Sequence, residues 1–151
     1  MKRRFRFKLE SVEKVRRLKE QECVRVLALA QTRYQQALQF KIQLSNELED
    51  SLVRREKLGE TATTVMAFLM ENDFIAGHKQ RIIQADQFIL RARKNVEKCL
   101  REFLSAKKET RVIEKLRENA FEEFKQEVQK HEQKELEELY VMRARLIKES
   151  A

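Results

Sequence analysis

This chain contains no proline and only two glycines, Gly59 and Gly77, in 151 residues. Tight turns need residues that tolerate positive φ or that fix φ near about −65°, and almost none are present. A sandwich, a barrel or a doubly wound sheet needs such a turn roughly every dozen residues. Long helices remain. Disorder is excluded by the other side of the composition, because hydrophobic residues make up 42% and disordered chains are poorer in them. With 38% of residues charged and sustained apolar periodicity, the composition fits a coiled coil or helical hairpin. Such a chain buries a narrow seam and leaves no roomy substrate pocket.

The net charge is +8, and it is unevenly placed. Lys2, Arg3, Arg4, Arg6, Lys8, Lys14, Arg16, Arg17 and Lys19 outnumber Glu10, Glu13 and Glu20 in the first twenty residues. From Glu114 onward acidic groups slightly exceed basic ones. A basic end of this kind suits an acidic partner. The opening MKRRFRFKLE is too charged to supply a signal-peptide core. The longest apolar run, Val65–Met70, falls far short of the ~20 residues that span a bilayer. A cytoplasmic protein without membrane insertion is expected.

An apolar stripe runs through Cys23, Val26, Ala30, Tyr34, Ala37, Phe40, Leu44, Leu48 and Leu52 in steps of three and four, one face of a helix. Leu9, Val12 and Val15 extend it backward. A first helix is expected from about residue 4 to 58, stopped by Gly59 in a left-handed cap. Residues 59–72 form the expected reversal. Thr61, Thr63 and Thr64 can cap a short helix over Val65–Met70 there, and Asn72 or Asp73 the next one. The second helix, about 73–148, carries two rows at a strict seven-residue period. One is Ile75, Ile82, Ile89, Val96, Phe103, Thr110; the other is His78, Ala85, Ala92, Cys99, Ala106, Ile113, Ala120. That period marks a left-handed coiled-coil seam, which Arg117, Glu127, His131 and Lys134 interrupt. The expectation is one all-α domain, 1–151, folded as a long antiparallel coiled-coil hairpin. A reversal at 59–72 sets Phe5 opposite about residue 126, so the last ~25 residues project by roughly 37 Å.

Catalytic and cofactor chemistry find no purchase. Two glycines 18 residues apart cannot build a phosphate loop. Cys23 and Cys99 lie on the seam opposite about residues 108 and 32, too far apart to bridge, and are expected to be reduced. His131, Glu132 and Glu135 lack the second histidine of a helical zinc motif and form a solvated face. Neither metal nor cofactor is expected, and no enzymatic activity. The KRRFRFK opening interleaves aromatics with cations in the manner of phosphate-tracking surfaces, but the charge is confined to one end, which argues against nucleic acid.

The same residues resemble a known family. Phe5, Phe7, Leu9, Glu10 and Val12, followed by Arg17, Glu20 and Glu22, resemble the F-x-F-x-L-E-x-V opening of FliJ proteins. FIAGHKQRI at Phe74–Ile82 is similar to the start of the family's second long helix. Glu114, Lys115, Leu116, Glu132, Gln133, Lys134, Leu136 and Glu137 resemble its E-K-L…E-Q-K-x-L-[DE]-E ending.

The resemblance implies a non-enzymatic component of the bacterial flagellar type III export apparatus, peripheral to the inner membrane. It implies a coiled coil similar to the central stalk of rotary ATPases. The end with both termini would insert in the ring of the export ATPase FliI and promote its hexamerisation and hydrolysis. Phe5, Phe7, Arg16, Arg17, Lys134, Leu139, Arg143 and Arg145 would serve that contact. The export gate FlhA would meet Phe74, His78, Arg81 and Ala85, and empty export chaperones would be escorted. His78 and Arg81 stand where the family more often has aliphatic or small residues. Two other classes fit the residues less well: a stalk or scaffold from another system such as an injectisome, and a basic nucleic-acid-binding coiled coil.

Overall fold

The computed structural model describes residues 3–61 and 64–151. It is an all-α helical hairpin of two helices, α1 (Glu10–Glu60) and α2 (Val65–Glu149). The chain divides into two compact units: Gln21–Ser105, and the residues up to Glu20 together with Ala106–Ala151.

In the Gln21–Ser105 unit the core is two residues wide. Ala30, Ala37, Leu44 and Ser51 are buried on α1, and Ile75, His78, Ala85 and Cys99 on α2. The α1 set repeats every seven residues, as the α2 rows do, so both helices present coiled-coil seams. Small residues make up three of the four on α1 and two of the four on α2, which lets the backbones approach closely. The apolar stripe expected on α1 departs from the structure at Phe40 in this unit, and its backward extension fails outside it: Leu9, Val12 and Val15 are exposed, while Glu13 and Arg16 take the inward positions. Phe40 is 54% exposed, and Lys41 takes the seam position, half-buried and paired with Asp86 across the interface at 2.6 Å. The aliphatic stem of lysine covers the seam while its ammonium reaches solvent and a counter-charge. Cys23 is half-buried, Cys99 buried, and both are free.

The reversal is tighter than expected. Gly59 does not end α1: the helix continues to Glu60, and no described glycine has positive φ. The last turn closes instead on Thr61, whose amide and hydroxyl both donate to the Lys57 carbonyl, at 3.3 and 3.1 Å. The Thr64 carbonyl accepts from the amides of Ala67 and Phe68 and opens α2. The expected short helix at Val65–Met70 is therefore the beginning of α2, which passes through Asn72 and Asp73 without a break. Asn72 does not cap; its amide oxygen accepts from Arg55 at 3.2 Å. Thr63 lies outside the described residues. The compact reversal moves the register by about one helical turn. Arg54 meets Glu71, Lys41 meets Asp86, and Phe5 meets Phe121 and Phe124.

In the unit formed by the first residues and Ala106–Ala151, the buried set is Glu13 on α1 with Ala106, Thr110 and Ile113 on α2. Thr110 is satisfied within the seam, its hydroxyl lying 3.1 Å from the Ala106 carbonyl and 3.4 Å from that of Arg16. Helix α1 does not start near residue 4. Residues 3–7 are non-helical, and α1 begins at Glu10. A run of cations is unfavourable against the positive end of a helix dipole, whereas Glu10 and Glu13 in the first turn suit it.

Both glycines sit inside helices where a methyl group would touch nothing within 4 Å. Gly59→Ala and Gly77→Ala should each stabilise the protein by about 0.5–1 kcal/mol, with Gly59 at the lower end because helix ends fray. Urea unfolding followed by far-UV circular dichroism should show both midpoints rising. A fall at Gly77 would mean that something packs against that position.

Candidate functional site

The first residues form a built structure. From Arg4 to Lys8 the side chains alternate, Phe5 and Phe7 half-buried and Arg4, Arg6 and Lys8 exposed, as an extended segment lying on a helix requires. The Phe5 ring contacts Phe121 edge-on at 5.2 Å and Phe124 at 5.5 Å. Arg117 lies over the Phe7 ring at 6.0 Å. The F-x-F spacing is a period-2 signal, and it marks this segment in the sequence as extended.

Beneath it lies a buried carboxylate. The Glu13 side chain is 3% exposed; Arg117 donates to its Oε2 at 2.7 Å. Arg17 approaches Oε1 at 2.6 Å as an ion pair without an aligned hydrogen bond. Two guanidiniums, one from each helix, thus neutralise a charge that would otherwise be costly to bury. Arg117, expected to interrupt the seam, instead supplies its counter-ion. Arg16 is also engaged, donating to the Glu109 carbonyl at 3.0 Å. Of the residues the sequence nominates for a ring contact, Phe5, Phe7, Arg16 and Arg17 therefore all have partners within this unit. Exposed cations that the sequence reading did not nominate include Arg4, Arg6 and Lys8.

The rest of α2 is different. Val128 is the last half-buried residue, and every position from Gln129 to the end of α2 is exposed, about 30 Å of helix at 1.5 Å per residue. Leu136, Leu139, Tyr140, Met142, Leu146 and Ile147 are each more than 60% exposed. At about 100° per residue they share one face, with Arg143 near its centre. Leu139 and Arg143 lie on that face, while Lys134 and Arg145 lie on the opposite one, beside Glu137 and Glu138. His131 and Glu135 pair at 3.2 Å.

In the Gln21–Ser105 unit the four residues nominated for a gate are not presented together. His78 and Ala85 are buried against α1; Phe74 and Arg81 are exposed. The His78 Nε2 lies 2.7 Å from Glu47 Oε2, and its ring stacks on Phe74 with centroids 4.4 Å apart. The hydrogen bond to His78, aided by Gln43 and the charge of Arg81, holds the Glu47 carboxyl below its ordinary range. His78 is thus a polar layer of the seam, and it orients Phe74 on the surface.

The fold and these surfaces define a class: a helical hairpin whose exposed features are charges and an unpartnered helix face. No helix among the described residues is long and apolar enough to cross a membrane. The family model of the flagellar FliJ protein matches residues 5–148, from the packed Phe5 almost to the end of α2. The chain belongs to the FliJ family and is a component of the bacterial flagellar export apparatus. No curated protein and no solved structure matches it.

The Glu13 clamp is open to a direct check. Arg117→Ala leaves a buried carboxylate short of one partner and should cost about 1–3 kcal/mol. Replacing Glu13 and Arg117 together by leucine should cost much less than Arg117→Ala alone, since no buried charge is left unpaired. Thermal unfolding of the wild type and the two variants separates the cases; equal losses in the two would show that the clamp is not the source of the effect.

Proposed function

We propose that this protein is a non-enzymatic stalk of the flagellar export apparatus that enters the ring of the export ATPase FliI, promotes its hexamerisation and accelerates its ATP hydrolysis. The observation that carries this is the stretch from Gln129 to Glu149, a long helix exposed on every side. An isolated helix of that length in water is only marginally stable, and its apolar face gains most when a partner covers it. A ring offers contacts all round a shaft. That suits a helix bearing Leu139 and Arg143 on one face and Lys134 and Arg145 on the other. Phe5 and Phe7 act by holding the first residues against α2, and Arg16 and Arg17 by fixing the seam below. The exposed Arg4, Arg6 and Lys8 supply positive charge for acidic groups of the ring.

The contact with the export gate FlhA falls to Phe74 and Arg81, with His78 and Ala85 positioning them from within the seam. Escort of empty export chaperones, and a cytoplasmic location at the inner membrane through the apparatus, complete the role. A core only two residues wide supports its non-enzymatic character, since no rigid concave scaffold holds catalytic groups. Nucleic acid is not among the partners.

Deleting residues 128–151 removes the exposed stretch and leaves the packed seam intact. The truncated protein should remain helical and unfold cooperatively, yet no longer stimulate ATP hydrolysis by its cognate FliI. Undiminished stimulation at stoichiometric amounts would exclude the role assigned to this stretch, and loss of helicity would show that it supports the fold.

A further inference from the structure

We propose that the exposed face of α2 beyond Val128 also pairs with the same face of a second copy, antiparallel, to form a symmetric dimer. The face is continuous: Leu136, Leu139, Leu146 and Ile147 lie within one stripe flanked by Tyr140 and Met142. Two charges lie near its centre, Glu132 and Arg143, and a third, Glu135, lies at its edge, paired with His131 of the same helix. One antiparallel register resolves both central charges at once. With Leu136 opposite Leu139 of the second copy, Glu132 falls opposite Arg143 and Val128 opposite Ile147, each pair occurring twice by symmetry. A heptad slip in one direction would instead set Glu132 against Leu136 and Arg143 against Lys125, and in the other Glu132 against Ser150 and Arg143 against Leu139, leaving both charges uncompensated. A parallel pairing would place Glu132 against Glu132 and Arg143 against Arg143. The pattern therefore selects one orientation and one register, as charges on a coiled-coil interface do.

The surface has room for this occupant. An open groove of about 580 Å³ is lined by Arg3, Phe124, Val128, Gln129, Glu132 and Glu135, where the pairing places Ile147 of the second copy. The contact is isologous and closes on itself, so it yields dimers and not fibres. Its overlap of about three heptads makes it weak and concentration-dependent. The inference stands on this face alone and does not depend on the ATPase role.

Sedimentation equilibrium of the full chain under reducing conditions tests it. The wild type should show a monomer–dimer equilibrium. Arg143→Glu and Glu132→Arg should each weaken dimerisation by about tenfold or more, because each replaces two attractive pairs by two repulsive ones. An equimolar mixture of the two variants, and the E132R/R143E double variant on its own, should both recover wild-type association. Recovery in the mixture but not in the double variant would overturn the antiparallel register. Association unaffected by either reversal would place the contact elsewhere and overturn the proposal. A wild type monomeric up to about 500 μM would overturn it as well; if Arg143→Glu then also abolished stimulation of FliI, the face would belong to the ATPase ring.

Discussion

Everything that stabilises this protein has to be gained along a seam two residues wide. In each compact unit the buried positions recur at the coiled-coil period, and small residues such as Ala30, Ala37, Ala85 and Ala106 dominate them. Alanine buries little area, so the stability gained per layer is modest. What it gives is close approach, which brings long polar side chains within reach across the interface. Lys41 with Asp86, Arg54 with Glu71, and Arg117 with Glu13 are all bridges of this kind. Most such pairs are half-exposed and contribute little energy individually. Their effect is on register, because a shift of one turn would leave the charges unpaired, with Lys41 facing Ile82 or Leu90 and Arg54 facing Ala67 or Ile75.

That division of labour explains what the sequence disclosed. The rows Ile75–Thr110 and His78–Ala120 were legible because a strict seven-residue period over many turns has few alternative explanations, and the burial of Ile75, His78, Ala85, Cys99, Ala106 and Ile113 follows them. The seam of α1 was harder to place, since Phe40 is the obvious apolar choice and Lys41 the actual one. Hydrophobicity cannot rank a lysine above a phenylalanine; the Asp86 that decides the matter is remote in sequence. Arg117 misled in the same way. A charge on a seam position looks like an interruption until the counter-charge, Glu13, is known to be there. Gly59 suggests a stop and so a broad reversal, whereas Thr61 closes the last turn on the Lys57 carbonyl, with no left-handed residue among those described.

The candidate surfaces divide along the same line. Residues conspicuous in the sequence, His78 and Ala85 on a heptad row and Arg16 and Arg17 in the basic opening, are used up by the fold. Residues available to partners are those the seam does not need: Phe74 and Arg81, the cations Arg4, Arg6 and Lys8, and the face from Leu136 to Ile147. Family membership assigns the chain to flagellar export, and the free helix face is where its geometry offers most to a partner. Two occupants, a ring and a second copy, compete for one stripe in this account, and a weak self-contact is compatible with displacement by a larger surface.

The central claim is that the seam ends near Val128 and that α2 continues beyond it without support. Amide hydrogen exchange of the free protein at low micromolar concentration tests this most directly, because exchange reports local opening residue by residue. The account predicts slow exchange at buried positions such as Ala106 and Ile113, a sharp fall in protection after Val128, and fast exchange from Gln129 through Glu149. Protection continuing undiminished to Glu149 in the dilute monomer would contradict it.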